Sequence, residues 1–189
     1  MSNRYEDAQV EVGDLLHTIR AAHFGSIHNA KIALLFDTKR RKAGGMIVLA
    51  KIASTNDLIR YLTKSEIGLY EGYDYIIVID RICWDAIDTT DRTRILRHEL
   101  RHAYFDIDCE EHPYKIVDHD IEDFHREVEL NADDPKWRIR LASLTDSIYE
   151  QKKEDKAPPT GRGYGRGRKA GKADAPMKGQ AELPTKKGE

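Results

Sequence analysis

Three residues have types and spacing that could do chemistry: His98, Glu99 and His102. They follow the pattern His-Glu-x-x-His in a stretch whose apolar residues recur with a helical period. Two histidines four residues apart lie on one helix face, one turn apart, where both imidazoles can bind one metal ion. Glu99 is rotated by about 100° from His98, so its carboxylate would lie off the metal but close to a water bound there.

This arrangement is typical of hydrolytic metal sites. A zinc ion polarises a scissile carbonyl and lowers the pKa of its water towards about 7. The carboxylate of Glu99 would take the proton of that water and pass it to the leaving amine. The sequence therefore predicts a zinc-dependent peptidase, with His98 and His102 as ligands and Glu99 as general base and acid. The alternative is a solvated helix whose exposed charged stripe is formed by Arg94, Arg97 and Arg101.

A catalytic zinc has three protein ligands and one open position, so a third ligand must come from outside this helix. Five of the eight histidines fall between residues 98 and 125. His119 is the preferred candidate, because it stands 17 residues after His102, at the end of a loop long enough to fold back over the helix. The carboxylate of Asp120 is also placed to orient a ligand imidazole. The other candidates for the third ligand are His112, Asp120, Glu122 and His125.

Apolar periodicity and turn residues predict the elements that must position these side chains. Helices are expected over residues 10–24, 56–62, 92–105 and 121–131, with a last helix beginning at Pro135. Strands are expected over residues 31–36, 46–52 and 73–80, the first two joined by a polar hairpin loop; residues 81–88 form a connector and 106–118 an irregular loop. The expected caps are Ser54 or Thr55, then Thr89, Thr90 or Asp91, then Asp120. The predicted fold class is α+β, with a small sheet of three or four strands packed on the N-terminal helix and the histidine helix.

The charge is unevenly distributed along the 189 residues. The net charge of −2 combines an acidic body of −8, residues 1–151, with a basic segment of +6, residues 152–189. Residues 152–189 are rich in Gly, Lys and Arg and lack the apolar residues needed for a core, so we expect them to be disordered. Arg162-Gly163-Tyr164-Gly165-Arg166-Gly167-Arg168 could bind nucleic acid through phosphate contacts and stacking.

Composition excludes several other classes of protein. No apolar run approaches the ~18 residues that a membrane-spanning helix needs, and the N-terminal residues do not resemble a secretion signal. Two cysteines, Cys83 and Cys109, are too few for a disulfide framework. We therefore expect a cytoplasmic protein that does not contact membranes. The sequence leaves the oligomeric state and the identity of the peptide substrate open.

A family resemblance is carried by the strand 73–80, by residues 94–102 and by His119-Asp120-Ile121-Glu122-Asp123-Phe124. Together they resemble the putative phage metallopeptidase family, whose layout is similar to that of SprT-like and other minimal zincins. The resemblance covers residues 8–130 and implies a zincin-like fold, peptidase activity and His119 as third ligand. A phage-encoded protein of this kind would work in the host cytoplasm. By the same resemblance, strand 73–80 would be the sheet edge beside the metal helix and would bind a substrate backbone by strand addition.

Two other functions compete with the peptidase hypothesis. The protein could be nucleic-acid-associated, with a structural or vestigial zinc site and the basic segment 152–189 as its binding element. A hybrid, a peptidase that acts near DNA, is allowed by the same residues. A metal-free scaffold is disfavoured, because a scaffold has no use for Glu99 next to two histidines in helical phase.

Overall fold

The computed structural model describes residues 3–66, 71–119 and 123–156. In these ranges the helices are α1 (Gln9–His23), α2 (Asp57–Thr63), α3 (Arg81–Ala86), α4 (Thr89–Arg101), α5 (His125–Leu130) and α6 (Trp137–Lys156). The strands are β1 (Tyr5–Asp7), β2 (Ile32–Asp37), β3 (Lys42–Ala43), β4 (Met46–Ile47), β5 (Ala50–Ser54), β6 (Tyr75–Asp80), β7 (Ala103–Phe105) and β8 (Tyr114–Ile116). No helix within these ranges is both long enough and apolar enough to cross a membrane.

The main sheet has four strands in the order β1-β2-β6-β5. Strands β2 and β6 are parallel and pair from Ile32 with Tyr75 to Asp37 with Asp80. Strands β1 and β5 are antiparallel to their neighbours, so the sheet is mixed. Two small hairpins, β3-β4 and β7-β8, stand outside this sheet. The architecture confirms the predicted α+β class and a sheet of four strands.

One face of the sheet carries the core. Alternate side chains of β2 and β6 are buried there, as the two-residue period of a strand requires: Ile32, Leu34, Phe36, Tyr75, Ile77 and Ile79. Helices α1 and α4 cover this face with Val12, Leu16, Ile19, Leu96 and Leu100. The intervening residues of β2 and β6, Ala33, Leu35, Ile76 and Val78, are only half-buried. Helix α4 is therefore fixed against the sheet, and its position relative to the strands is set by this packing.

The prediction that residues 73–80 form the sheet edge is wrong. Strand β6 lies between β2 and β5, and β5 is the edge strand beside α4. The predicted hairpin between strands 31–36 and 46–52 does not form; instead, Gly44 and Gly45, both at positive φ, form a turn between β3 and β4, which ends at Ile47. The chain then continues into β5, which pairs with β6 and not with β2.

Several predicted helix boundaries also differ from the structure. The connector 81–88 contains α3, which begins after Asp80, whose side chain accepts a hydrogen bond from the backbone N–H of Cys83. Helix α4 begins at Thr89 with Asp88 as its cap and ends at Arg101, so residues 103–105 are strand. Helix α2 is capped by Asn56. The predicted helix 121–131 begins at His125 in the structure, and Asp120 lies outside the described residues.

The last helix extends further than predicted. Helix α6 begins at Trp137, two residues after Pro135, and continues to Lys156, past the expected domain boundary at residue 151. Residues 157–189 lie outside the described ranges, so their disorder stays a prediction.

Two of the three arginines of the predicted stripe are buried and Arg101 is half-buried, which contradicts the exposed stripe of the solvated-helix alternative. Arg94 is 7% exposed and Arg97 is 8% exposed. The fully buried carboxylate of Glu127 on α5 accepts a hydrogen bond from Nε of Arg97 at 2.7 Å and another from Nε of Arg101 at 3.1 Å. Charges without water must be paired, so these contacts fix the relative position of α4 and α5.

We expect the replacement Glu127→Gln to lower the free energy of unfolding by about 3–5 kcal/mol, because it leaves the Arg97 and Arg101 guanidinium groups without their counter-charge. Urea denaturation measures the effect. Glu129→Gln is the control, because among the described residues Glu129 forms only an exposed pair with Arg126, and its loss should change stability little. Equal stability losses in the two variants would contradict the role assigned to Glu127.

Candidate metal centre

Three histidines converge at the C-terminal end of α4. One ring nitrogen from each of His98, His102 and His119 lies within 4.8 Å of the other two. Nε2 of His98 and Nε2 of His119 are 3.2 Å apart. In a tetrahedral zinc site, Zn–N bonds of about 2.0–2.1 Å place ligand nitrogens about 3.3–3.4 Å apart. The donor atoms and their spacing therefore fit a zinc ion bound by three imidazoles.

The backbone of Val117 holds His102 in place. Its N–H donates to the carbonyl oxygen of His102 at 2.8 Å, and its own carbonyl oxygen lies 2.8 Å from Nδ1 of the His102 ring. A carbonyl oxygen can only accept, so the ring proton must be on Nδ1. This tautomer leaves the lone pair of Nε2 free to bind a metal ion. His102 is the C-cap of α4, so this contact also sets where the chain leaves the helix.

A short hairpin brings His119 back to the helix. Strands β7 and β8 pair antiparallel, from Ala103 with Ile116 to Phe105 with Tyr114. The hydroxyl of Tyr75 on β6 lies 3.0 Å from the carbonyl oxygen of Tyr104 and 2.9 Å from that of Lys115. Burial raises the pKa of Tyr75, so the hydroxyl stays protonated and able to donate. Strand β8 thus lies in the segment predicted as an irregular loop, and Tyr75 hydrogen-bonds its hairpin to the sheet.

Asp123 lies beside the first histidine. Its Oδ1 is 2.9 Å from Nδ1 of His98, an ion-pair distance, although the angle departs from that of a regular hydrogen bond. Burial alone would raise the pKa of Asp123, but the His98 ring, the backbone N–H of Phe124 and the charge of Arg138 together hold the pKa below its usual value. Sequence analysis had assigned the orienting role to Asp120, which lies outside the described residues. It missed Asp123, whose only sequence signal was its place in the family motif after His119.

The apolar ring of Phe124 packs against all three histidines. The ring of Phe124 lies 5.7 Å from that of His98, 4.9 Å from that of His102 and 5.0 Å from that of His119, measured between centroids. Burial lowers the pKa of His119, and the neighbouring histidines lower it further. A lowered pKa keeps the imidazole neutral near pH 7, which is the form that binds metal.

Glu99 is held next to the cluster by the sheet edge. Its side chain is buried, and Oε2 accepts a hydrogen bond of 2.8 Å from the backbone N–H of Ile52 on β5. Oε1 has no hydrogen bond within the described residues. One oxygen is therefore fixed by the backbone, and the other is available to a water or substrate.

The remaining candidates for the third ligand are placed differently. His112 is exposed, with Nε2 3.3 Å from a carboxylate oxygen of Asp57 at the start of α2. His125 is exposed at the first residue of α5. Asp120 and Glu122 lie outside the described residues. Of the candidates that the structure describes, it brings His119 to the first two histidines and leaves His112 and His125 outside the cluster.

Comparison with family models identifies the relatives of this chain. The model described as putative phage metallopeptidase matches residues 3–149, most of the sequence. The chain belongs to this family. Membership extends the resemblance beyond residues 8–130 and, with the histidine cluster, indicates a metal-dependent peptidase. Neither the curated proteins nor the solved structures contain a match to the chain.

In this member of the family, we expect Asp123→Asn to weaken binding of a metal ion by about 10- to 100-fold, because an amide holds the His98 imidazole less strongly than a carboxylate. Competition with a chromophoric chelator measures the affinity. Asp118→Asn, at an exposed position in the same segment, should bind the metal like the wild type. Unchanged affinity in Asp123→Asn would show that the contact with His98 does not support the site.

Proposed function

We propose that the protein is a zinc-dependent metallopeptidase in which His98, His102 and His119 hold the zinc and Glu99 is the general base and acid. The observation that carries the proposal is the convergence of three ring nitrogens beside a carboxylate that is anchored through one oxygen only. Family membership supports the same class of reaction.

The donor set favours zinc among the common metal ions. Three neutral imidazoles are typical ligands of catalytic zinc, whereas Mg²⁺ and Ca²⁺ prefer oxygen ligands. The cysteines do not contribute, since neither belongs to the cluster, and burial raises the pKa of Cys83 to about 11. When bound, the zinc polarises the scissile carbonyl and activates a water for attack.

Glu99 moves the protons in this proposal. The N–H of Ile52 holds Oε2, which leaves the other oxygen, Oε1, for the attacking water. Oε1 accepts a proton from the attacking water and then delivers it to the nitrogen of the leaving amine. Because one oxygen is fixed by the backbone, the carboxylate needs little reorganisation between these two steps.

The free edge of β5 supplies a place for the substrate backbone. The N–H of Asp80 donates to the carbonyl of Leu49 and that of Thr55 to the carbonyl of Asp74, so the backbone N–H and C=O groups of odd-numbered residues here face β6. The backbone groups of even-numbered residues face away from β6. An extended peptide can therefore pair with the backbone of Ala50 and Ser54 and with the carbonyl of Ile52. The N–H of Ile52 is already used by Glu99, which interrupts this pairing beside the metal.

We expect Glu99→Gln to retain about one zinc per chain and to lose hydrolysis of peptides by about 10²- to 10⁴-fold, because an amide accepts no proton from water. Zinc content and cleavage of a degenerate peptide library are measured on the same sample. Glu110→Gln, in the acidic loop, is the control. Cleavage by Glu99→Gln at the wild-type rate would refute the mechanism.

We expect His119→Ala to lose most bound zinc, whereas His112→Ala and His125→Ala keep it, since their rings lie outside the cluster. Elemental analysis of the full-length chain measures zinc per protein. Full zinc occupancy in His119→Ala would move the third ligand to another residue.

The nucleic-acid alternative rests on residues 152–189, of which the structure describes only 152–156, the end of α6. No structural observation favours it, and it stays a prediction from sequence, as does the cytoplasmic setting. Salt-sensitive binding of DNA or RNA that disappears when the chain is shortened to residue 156 would support it.

A further inference from the structure

A cleft of about 640 Å³ opens directly beside the proposed catalytic residues. His98 and Glu99 line one end of it, and Ala50 on the free edge of β5 lines it as well. Its size falls in the range of about 300–1,000 Å³ that is typical of ligand sites. A group bound in this cleft would therefore be in contact with the reacting part of a substrate. We call it the α6 cleft, after the helix that forms its outer wall.

The walls of the α6 cleft are mainly apolar, although Asp123, Lys136 and Arg138 also line it. The hairpin β3-β4, helix α4 and the first turns of α6 contribute Met46, Ile47, Ile95, Trp137, Ile139 and Ala142. Ile47, Ile95 and Trp137 are buried and form the floor. Met46 is 54% exposed and Ile139 is 57% exposed, although both are large apolar residues. Apolar side chains exposed in a concave site indicate an apolar ligand.

Ion pairs connect two of the elements that line the cleft. Arg40, just before β3, pairs with Asp146 and Glu150 on α6, and Nζ of Lys42 lies 3.0 Å from Asp146. These pairs fix the β3-β4 hairpin relative to α6. A site between elements whose relative position is fixed has a lower conformational cost of binding.

We propose that the α6 cleft binds a bulky apolar side chain of the peptide residue that adjoins the scissile bond, and so determines cleavage preference. The inference rests on the proposed function. A peptide paired with the β5 edge places alternate side chains on the same side, so one of them enters the cleft that Ala50 lines. A charged side chain would lose its hydration over the apolar floor, so the floor itself favours an apolar side chain.

The test compares binding of two peptide hydroxamates, which chelate zinc, to the zinc-loaded full-length protein by calorimetry. They differ only at the residue adjoining the chelating group, which is leucine in one and glycine in the other. We expect the leucine compound to bind about tenfold to hundredfold more tightly, as burial of one leucine side chain predicts. In Ile139→Lys this ratio should fall towards one, because the new ammonium group lies at the rim of the cleft.

Leu144→Lys is the matched control. Leu144 is also an exposed apolar residue of α6 but does not line the cleft, so this variant should keep the wild-type ratio. Thermal unfolding and zinc content verify that both variants are folded and loaded. Equal binding of the two hydroxamates by the wild type, or a ratio unchanged in Ile139→Lys, would overturn the inference.

Cleavage of a degenerate peptide library separates this inference from the proposed function. Cleavage without preference for bulky apolar residues would overturn the assignment of the cleft and leave the peptidase intact. Preference for the leucine hydroxamate with no cleavage of any peptide would refute the peptidase and retain the cleft as a binding site. Cleavage with an apolar preference that Ile139→Lys reduces and Leu144→Lys does not would support both.

Discussion

Helix α4 buries charged and polar side chains on most of its surface, and the rest of the structure depends on this constraint. Charges removed from water must find partners, and several of these partners come from outside α4. Glu127 on α5 pairs with Arg97, Asp123 lies beside His98, and the backbone of β5 holds Glu99. Arg94 pairs with Asp91 within the helix, and Arg140 of α6 joins the same carboxylate. Contacts with several other segments therefore hold α4 in one position. A metal site requires such rigidity of the elements that carry its ligands.

The contacts that fix α4 in the fold also position the residues of the proposed active site. The chain that leaves α4 at His102 turns through the β7-β8 hairpin and returns at Val117, which bonds to His102 twice before His119 joins the cluster. The hydroxyl of Tyr75, on the inner strand β6, hydrogen-bonds to this hairpin. Glu99 and the free edge of β5 are joined by one hydrogen bond, so the proposed base and the proposed substrate edge keep a constant relative position. Glu99 and Ala50 of β5 also line the α6 cleft.

Sequence reasoning was most accurate where the signal is local. The apolar period of α1 and the strand propensities of β2 and β6 identified those elements, and the α+β class followed from their order. It was wrong about which strand is the edge, because the apolar residues of β6 show burial but not the number of neighbouring strands. It missed α3 and the β7-β8 hairpin, since elements of three to six residues carry too little periodicity to detect.

By itself, the sequence determined that His98, Glu99 and His102 share one helix turn, because the helical period places side chains three and four residues apart together. It also indicated His119 as the preferred third ligand, but left His112, Asp120, Glu122 and His125 open. Only the tertiary structure decided which of the three histidines lies beside His98 and His102, because that depends on the hairpin that returns the chain to α4. The contact of Asp123 with His98, the anchor of Glu99 on Ile52 and the walls of the α6 cleft were likewise decided by packing between residues distant in sequence. Contacts between residues so far apart in the chain produce no periodic pattern in the sequence from which they could be predicted.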